Sequence, residues 1–409
     1  MIIPSIDLYD GQAVQWRQGK EPVLARDDVF EILEEFSLYG EVAIIDLNAA
    51  TGKGNNKELI NQLLKKKSCR VGGGIRTLKQ AQNYLKAGAS KIILGTSAFS
   101  DWVTEISPDN LIFAIDAKAD EWVSHGWKQG TGKTVLDIIP ELEKNCSEFL
   151  YTQVEKEGML QGMDEIRIKQ VVEKSKVAVT VAGGITTTED IRWLQRLGAN
   201  AQIGMAIYTG KITLNDSFID SVDFEKLEMI PTIVQDAESK DVLMLAYTNK
   251  ESLTEALTQR RGIYWSRSRN QLWRKGDTSC DQQHLVQVDM DCDADTLLFQ
   301  VKQTGDACHL KRWSCFPTQS KQFSLQTLDT VFQNRLDNPQ LKSYTSELFA
   351  NRDFQAEKLR EECEELIETE DAYEARWEAA DLLFFTLVAA KSRGVSISDI
   401  VNELRSRHK

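Results

Sequence analysis

The chain has 409 residues, a formal net charge of −13 and seven cysteines. That length accommodates about two to four domains, and the acidic balance argues against nucleic acid or a membrane surface as partner. No apolar run is long enough to span a bilayer, the strand pattern beginning at residue 2 is expected to leave no signal peptide, and seven cysteines do not suit a disulfide framework, so a reducing cytoplasm is expected.

Residues 1–222 read as strands alternating with amphipathic helices, the pattern of a parallel α/β fold. An internal repeat runs through them. Val71-Gly72-Gly73-Gly74-Ile75-Arg76-Thr77 returns 110 residues later as Val181-Ala182-Gly183-Gly184-Ile185-Thr186-Thr187. Each copy leads to a strand ending in glycine, Gly95 in the first and Gly204 in the second. Glycine-rich strand-to-helix turns expose backbone N–H groups to anions, so a duplicated pair predicts two phosphate sites at the C-terminal face of a (β/α)8 TIM barrel. Gly73, Gly74, Arg76, Gly183, Gly184 and Gly204 are their candidate residues.

Ile3-Pro4-Ser5-Ile6-Asp7-Leu8, Asp46-Leu47-Asn48, Asp116 with Gly126-Trp127, and the run from Tyr151-Thr152 to Glu157-Gly158 resemble the phosphoribosylformimino-AICAR-phosphate isomerase family of histidine biosynthesis. The resemblance implies an Amadori rearrangement, which needs one acid at the sugar oxygen and one base at the C2 proton. By resemblance these roles fall to Asp7 and Glu157, assisted by Thr152 and Asp116. Several positions depart from the commoner family pattern: Glu157 stands for Asp, Met205 and Gln15 stand for Arg, and the segment around 100–112 is short.

Farther along, Arg267 and Arg269 after Tyr264-Trp265, then Trp273-Arg274-Lys275-Gly276, interleave cations with aromatics and a glycine turn. This is a phosphate grip suited to a nucleotide-like small molecule. Asp291-Cys292-Asp293-Ala294-Asp295 follows, then Cys308-His309 and Cys315. If 285–295 is a strand, its alternation sets the three aspartates on one face and Cys292 on the other. Carboxylates suit Mg2+ and thiolates suit Zn2+. Residues 228–318 resemble phosphoribosyl-AMP cyclohydrolase. That family implies Mg2+ at Asp291, Asp293 and Asp295, and Zn2+ at Cys308 and Cys315 with Cys292 donated across a homodimer interface. Its reaction opens the adenine ring with zinc-activated water.

At the C-terminal end, Glu361-Glu362-Cys363-Glu364-Glu365 and Glu378-Ala379-Ala380-Asp381 place carboxylates at helical spacing on two successive helices. Convergent carboxylates beside the apolar run 382–385 are costly without a bound cation, which points to Mg2+ and a pyrophosphate substrate. From 322 onward the chain resembles the all-helical, MazG-like phosphoribosyl-ATP pyrophosphohydrolase family, with Lys358 at another of its recurring positions.

The expected architecture is therefore a barrel (1–222), a small mixed, mainly β metal-binding domain (228–318) and an all-α domain (322–409), acting in reverse chain order on one phosphoribosyl nucleotide. Two alternatives stay open: a bifunctional hydrolase with an inert barrel as scaffold, and a regulatory nucleotide-binding protein with structural zinc.

Overall fold

The computed structural model describes residues 1–17, 21–118, 121–124, 129–317 and 323–407. Gly126, Trp127 and the segment 318–322 lie outside them. The chain forms two compact units, Met1–Ser320 and Lys321–Arg405.

Eight strands close the barrel in chain order: β1 (Ile2–Tyr9), β2 (Ala43–Asp46), β3 (Arg70–Gly72), β4 (Lys91–Leu94), β5 (Leu111–Lys118), β6 (Glu148–Gln153), β7 (Ala178–Ala182) and β8 (Asn200–Ile203). Every neighbouring pair is parallel. Closure comes where β8 returns to β1 at Ala201 and Ile2. Short apolar runs buried on both faces, such as Lys91-Ile92-Ile93-Leu94, read as barrel strands because the lumen and the helical ring each cover one side. Ile93, Ile112, Leu150 and Ala182 fill the lumen.

The repeat is also a repeat of capping. Thr77 accepts the Gln80 N–H at 3.3 Å and starts the helix Leu78–Lys86, and Thr187 accepts the Asp190 N–H at 3.1 Å and starts Thr188–Arg196. Both helices thus begin a fixed distance past their glycine turns. Around 100–112 no regular α-helix forms; the 3-10 turns Thr96–Phe99, Asp101–Glu105 and Pro108–Asn110 carry the chain into β5.

The span from Thr213 reads as linker from its Asn, Asp and Ser content, but Leu214–Ser221 is the last barrel helix. Leu214, Phe218 and Ile219 share its buried side, and that packing outweighs the polar composition.

The second module of the first unit is a mixed sheet in the order β10-β9-β12-β11, with β9 (Ile230–Asp236), β10 (Val242–Thr248), β11 (Gln283–Met290) and β12 (Leu297–Gln303). A separate hairpin pairs Ile263–Ser266 with Gln271–Arg274. The module meets the barrel at the ends of two barrel helices: Lys250 pairs with Asp220 at 3.3 Å, and Arg260 reaches the Glu34 carbonyl at 3.4 Å. Helix C-termini in this fold lie below the strand N-termini, so the module docks on the end opposite the glycine turns.

The second unit is helical. Its longest elements, α1 (Arg352–Glu368) and α2 (Ala372–Lys391), pack together over a core that includes Phe332, Leu348, Phe385 and Val388. No helix among the described residues is long and apolar enough to cross a membrane.

Candidate functional sites

The barrel mouth gathers side chains from several strand ends. Asp7 lies on β1, Asp116 on β5, Thr152 on β6, and Glu157 in the turn that follows β6. Asp7 and Glu157 are half-buried deep in the mouth, where surrounding protein withholds most hydration. Burial pushes the Asp7 carboxyl up to about 7. Burial, then the charges of Asp7 and Asp116, push Glu157 up to about 8. Two carboxyls raised toward neutrality can gain or lose a proton near pH 7–8.

All four turn glycines have positive φ: 93° at Gly73, 66° at Gly74, 84° at Gly183 and 83° at Gly184. The second turn abuts Glu157, since a Cβ at Gly183 would lie 3.0 Å from Glu157 Oε2. Glu157, Gly183, Gly184, Gly204 and Met205 line one cavity together with Ser5 and Gln202. Sequence reading singled out neither Ser5 nor Gln202; for Gln202, its place near the end of β8 was the available signal. Gln15, on the strand Gln12–Arg17, is 2% exposed beside Gly204, and its Nε2 and Gln202 Oε1 are buried without a protein partner among the described residues. In the first turn Arg76 bends away, donating to the carbonyls of Ala49 at 3.2 Å and Ala50 at 3.4 Å. Asp46 is a cap, accepting from the Ala49 N–H at 3.0 Å and Asn56 Nδ2 at 2.8 Å.

In the second module the strand expected over 285–295 stops at Met290, and residues 291–296 form a turn. Alternation therefore does not sort the aspartates from Cys292. The turn gathers them instead: one Asp291 oxygen accepts the N–H groups of Asp295 and Thr296, each at 3.0 Å, and Ala294 takes φ 59°. Asp291, Asp293 and Asp295 then bring ligand oxygens within 4.8 Å of one another, a set that fits a hard divalent cation. Lys226 Nζ bridges Asp293, at 3.2 Å, and Asp295.

Cys308 and Cys315 meet in the loop after β12, which is strapped to β10 by the Cys315 N–H on the Leu243 carbonyl at 2.8 Å and by Ser314 Oγ on the Val242 carbonyl at 2.7 Å. Burial raises the Cys315 thiol, and the Cys308 sulfur, with which it shares a hydrogen bond, raises it further. Two adjoining sulfurs fit one soft cation. Cys292 is exposed, and no third ligating side chain joins Cys308 and Cys315 among the described residues. The cations of the hairpin separate. Arg267 stacks on Tyr247 at 3.7 Å, Arg269 bonds Ser266 at 3.1 Å, and Arg274 pairs with Glu255 at 3.0 Å. Lys275 is turned inward onto the carbonyls of Asp281 and Asp306, both at 3.2 Å, and burial lowers its pKa.

In the helical unit, α1 and α2 bring Glu362, Glu365 and Glu378 within 4.8 Å of one another. Burial, then Asp381 and Glu365, push the Glu362 carboxyl up; burial and Glu365 do the same to Glu378. Glu361 stands apart, ion-paired with Lys358 at 2.6 Å. The paired helices thus present three clustered carboxylates with Asp381 near, rather than the full expected set.

Family models match in series: Histidine biosynthesis protein over 1–213, Phosphoribosyl-AMP cyclohydrolase over 244–317 and Phosphoribosyl-ATP pyrophosphohydrolase over 325–408. An imidazole-4-carboxamide isomerase of Methanocaldococcus jannaschii is 37% identical over 227 residues, 52% of this chain and 96% of that protein. The Histidine biosynthesis bifunctional protein HisIE of Xanthomonas campestris is 42% identical over 199 residues, 47% of this chain and 95% of that protein. The Histidine biosynthesis trifunctional protein of Kluyveromyces lactis is 38% identical over 198 residues, and the match spans only 25% of its length.

Proposed function

Since the chain belongs to the histidine-biosynthesis family, with an isomerase barrel followed by cyclohydrolase and pyrophosphohydrolase domains, we propose that it takes phosphoribosyl-ATP through three consecutive reactions. The helical domain releases pyrophosphate, the middle domain opens the adenine ring of phosphoribosyl-AMP, and the barrel isomerises the product. We place the domains at 1–222, 228–318 and 322–409 and the enzyme in the cytoplasm.

The observation that carries the third step is the pair Asp7 and Glu157, both raised toward neutrality, with Glu157 against the second glycine turn. An inert barrel has no use for two desolvated carboxyls, which cost stability wherever they ionise. In the proposed mechanism the glycine turns hold the two phosphate ends of the substrate. One carboxyl protonates the ring oxygen of the sugar, and the other takes the C2 proton. Thr152 and Asp116 flank them. Gln15 and Met205 leave the second phosphate to neutral donors, which weakens its binding without removing the chemistry.

For the middle domain, Cys308 and Cys315 would hold Zn2+ with Cys292 from a second copy of the chain, making a homodimer. Zinc there supplies Lewis acidity toward a water near the purine. Asp291, Asp293 and Asp295 would hold Mg2+, and Arg267 and Arg269 are the exposed cations left to grip the substrate phosphate. Glu362, Glu365, Glu378 and Asp381 would hold Mg2+ against the phosphoanhydride.

Single-domain variants test the order. Asp7→Asn should build up the ring-opened, unisomerised compound, Cys308→Ser phosphoribosyl-AMP, and Glu362→Gln unreacted phosphoribosyl-ATP. Any variant that fails to halt its own step refutes that assignment.

A further inference from the structure

Lys226 ends the short turn 224–226 that joins the last barrel helix to β9. That turn is fastened to the aspartate turn by backbone as well as side chain. The Asp223 N–H donates to the Ala294 carbonyl at 3.0 Å, and the Lys226 N–H returns to Asp223 Oδ1 at 3.2 Å. The ammonium then lies between Asp293 and Asp295, using the Oδ2 of each. Asp293 and Asp295 are also two of the three members of the candidate cation set. Asp291 already shapes the aspartate turn through the N–H groups of Asp295 and Thr296, so the lysine is not needed to form it.

We propose that Lys226 is a tethered rival of the divalent cation: loading the aspartate turn displaces its ammonium and removes the side-chain tie that holds the turn 224–226 to it. This rests on reading the aspartate turn as a divalent-cation site. An ammonium held by two of the three carboxylates repels a divalent ion brought among them, so the two cations compete for the turn. A half-exposed lysine is a weak competitor that a divalent ion can overcome, and its effect fades with salt.

The test uses the full-length chain and Mg2+ alone, titrated by calorimetry. Asp293→Asn identifies the class of sites that belongs to the aspartate turn. Lys226→Met should tighten that class roughly three- to tenfold at low salt, a modest gain in line with removing two exposed ion pairs. Lys226→Arg should keep the wild-type affinity, and the gap between wild type and Lys226→Met should close in concentrated KCl. Mg2+ should also speed tryptic cleavage after Lys226 in the wild type. Unchanged or weaker binding in Lys226→Met, or cleavage indifferent to Mg2+, overturns the competition. An isotherm that Asp293→Asn does not change overturns the cation site itself, and the competition with it.

Discussion

Glu157 feels the charge of Asp7: the two carboxyls come from the turn after β6 and from β1, and after burial it is Asp7 that does most to hold Glu157 protonated up to about 8. Asp7, raised by burial, ionises near 7. Such a pair titrates as a unit, and the form with one proton is the form that can both donate and accept.

Isomerase activity should therefore follow a narrow bell, with limbs near pH 7 and pH 8. Glu157→Gln or Asp7→Asn should remove one limb and lower kcat roughly 10²- to 10⁴-fold. A wild-type profile flat from about pH 6 to about pH 9, about one unit beyond either limb, would contradict the assignment.

The same shifts set a stability trend. In the unfolded chain both carboxyls ionise near the usual carboxylate range, whereas the folded protein retains their protons up to about 7 and about 8. The favourable contribution is present below the unfolded pKa values and is lost as pH rises through the folded ones. Asp7→Asn and Glu157→Gln should thus melt higher than wild type in mildly alkaline buffer, by a few degrees, with the advantage shrinking in acid. Calorimetry at two pH values decides it.

Gly73→Ala should destabilise the barrel by roughly 1–3 kcal/mol from its backbone conformation alone. Its φ is 93°, and the added Cβ would sit 2.4 Å from the Asp46 carbonyl oxygen, which belongs to a strand end and cannot swing away. Thermal unfolding should register the loss, while pyrophosphate release by the helical unit continues.

In the helical unit, Glu362→Gln should abolish pyrophosphate release, whereas Glu361→Gln should be far milder because Glu361 is spent on Lys358. Equal losses in both, measured as pyrophosphate formed from phosphoribosyl-ATP, would contradict this division.

Two sulfurs in one chain make the third a test of assembly. Cys292→Ser and Cys308→Ser chains should each lack ring-opening activity. Refolded together they should recover about a quarter of the wild-type value, since half the dimers are mixed and one site in each is whole. Recovery no greater than that of the separate variants would refute the shared site.

Much of this was legible in the sequence, for physical reasons that differ by site. The glycine turns were readable because a positive φ and close backbone approach admit no other residue, and the duplication marked both at once. Asp7 and Glu157 were reached through resemblance, while their proximity depends on barrel closure across strands distant in the chain. The aspartates stood out as a carboxylate cluster and through resemblance, but the way they face was not legible. A strand through 295 would put them on one face, yet Asp291 bonds the N–H groups of Asp295 and Thr296 and turns the chain. Helical spacing grouped Glu361 with its neighbours, and only the position of Lys358 separates it. Lys226 was not legible as a site residue, because nothing in its local sequence reveals a partner nearly seventy residues away.

The most direct test of the three-step account is to supply the wild-type chain with phosphoribosyl-ATP, Mg2+ and Zn2+ and resolve the final product chromatographically against an isomer standard. The two candidate products have equal mass, so retention time decides. Accumulation of the isomerised, ribulosyl compound is the predicted result. A reaction that halts at the ring-opened ribosyl compound would show the barrel to be a scaffold and contradict the account.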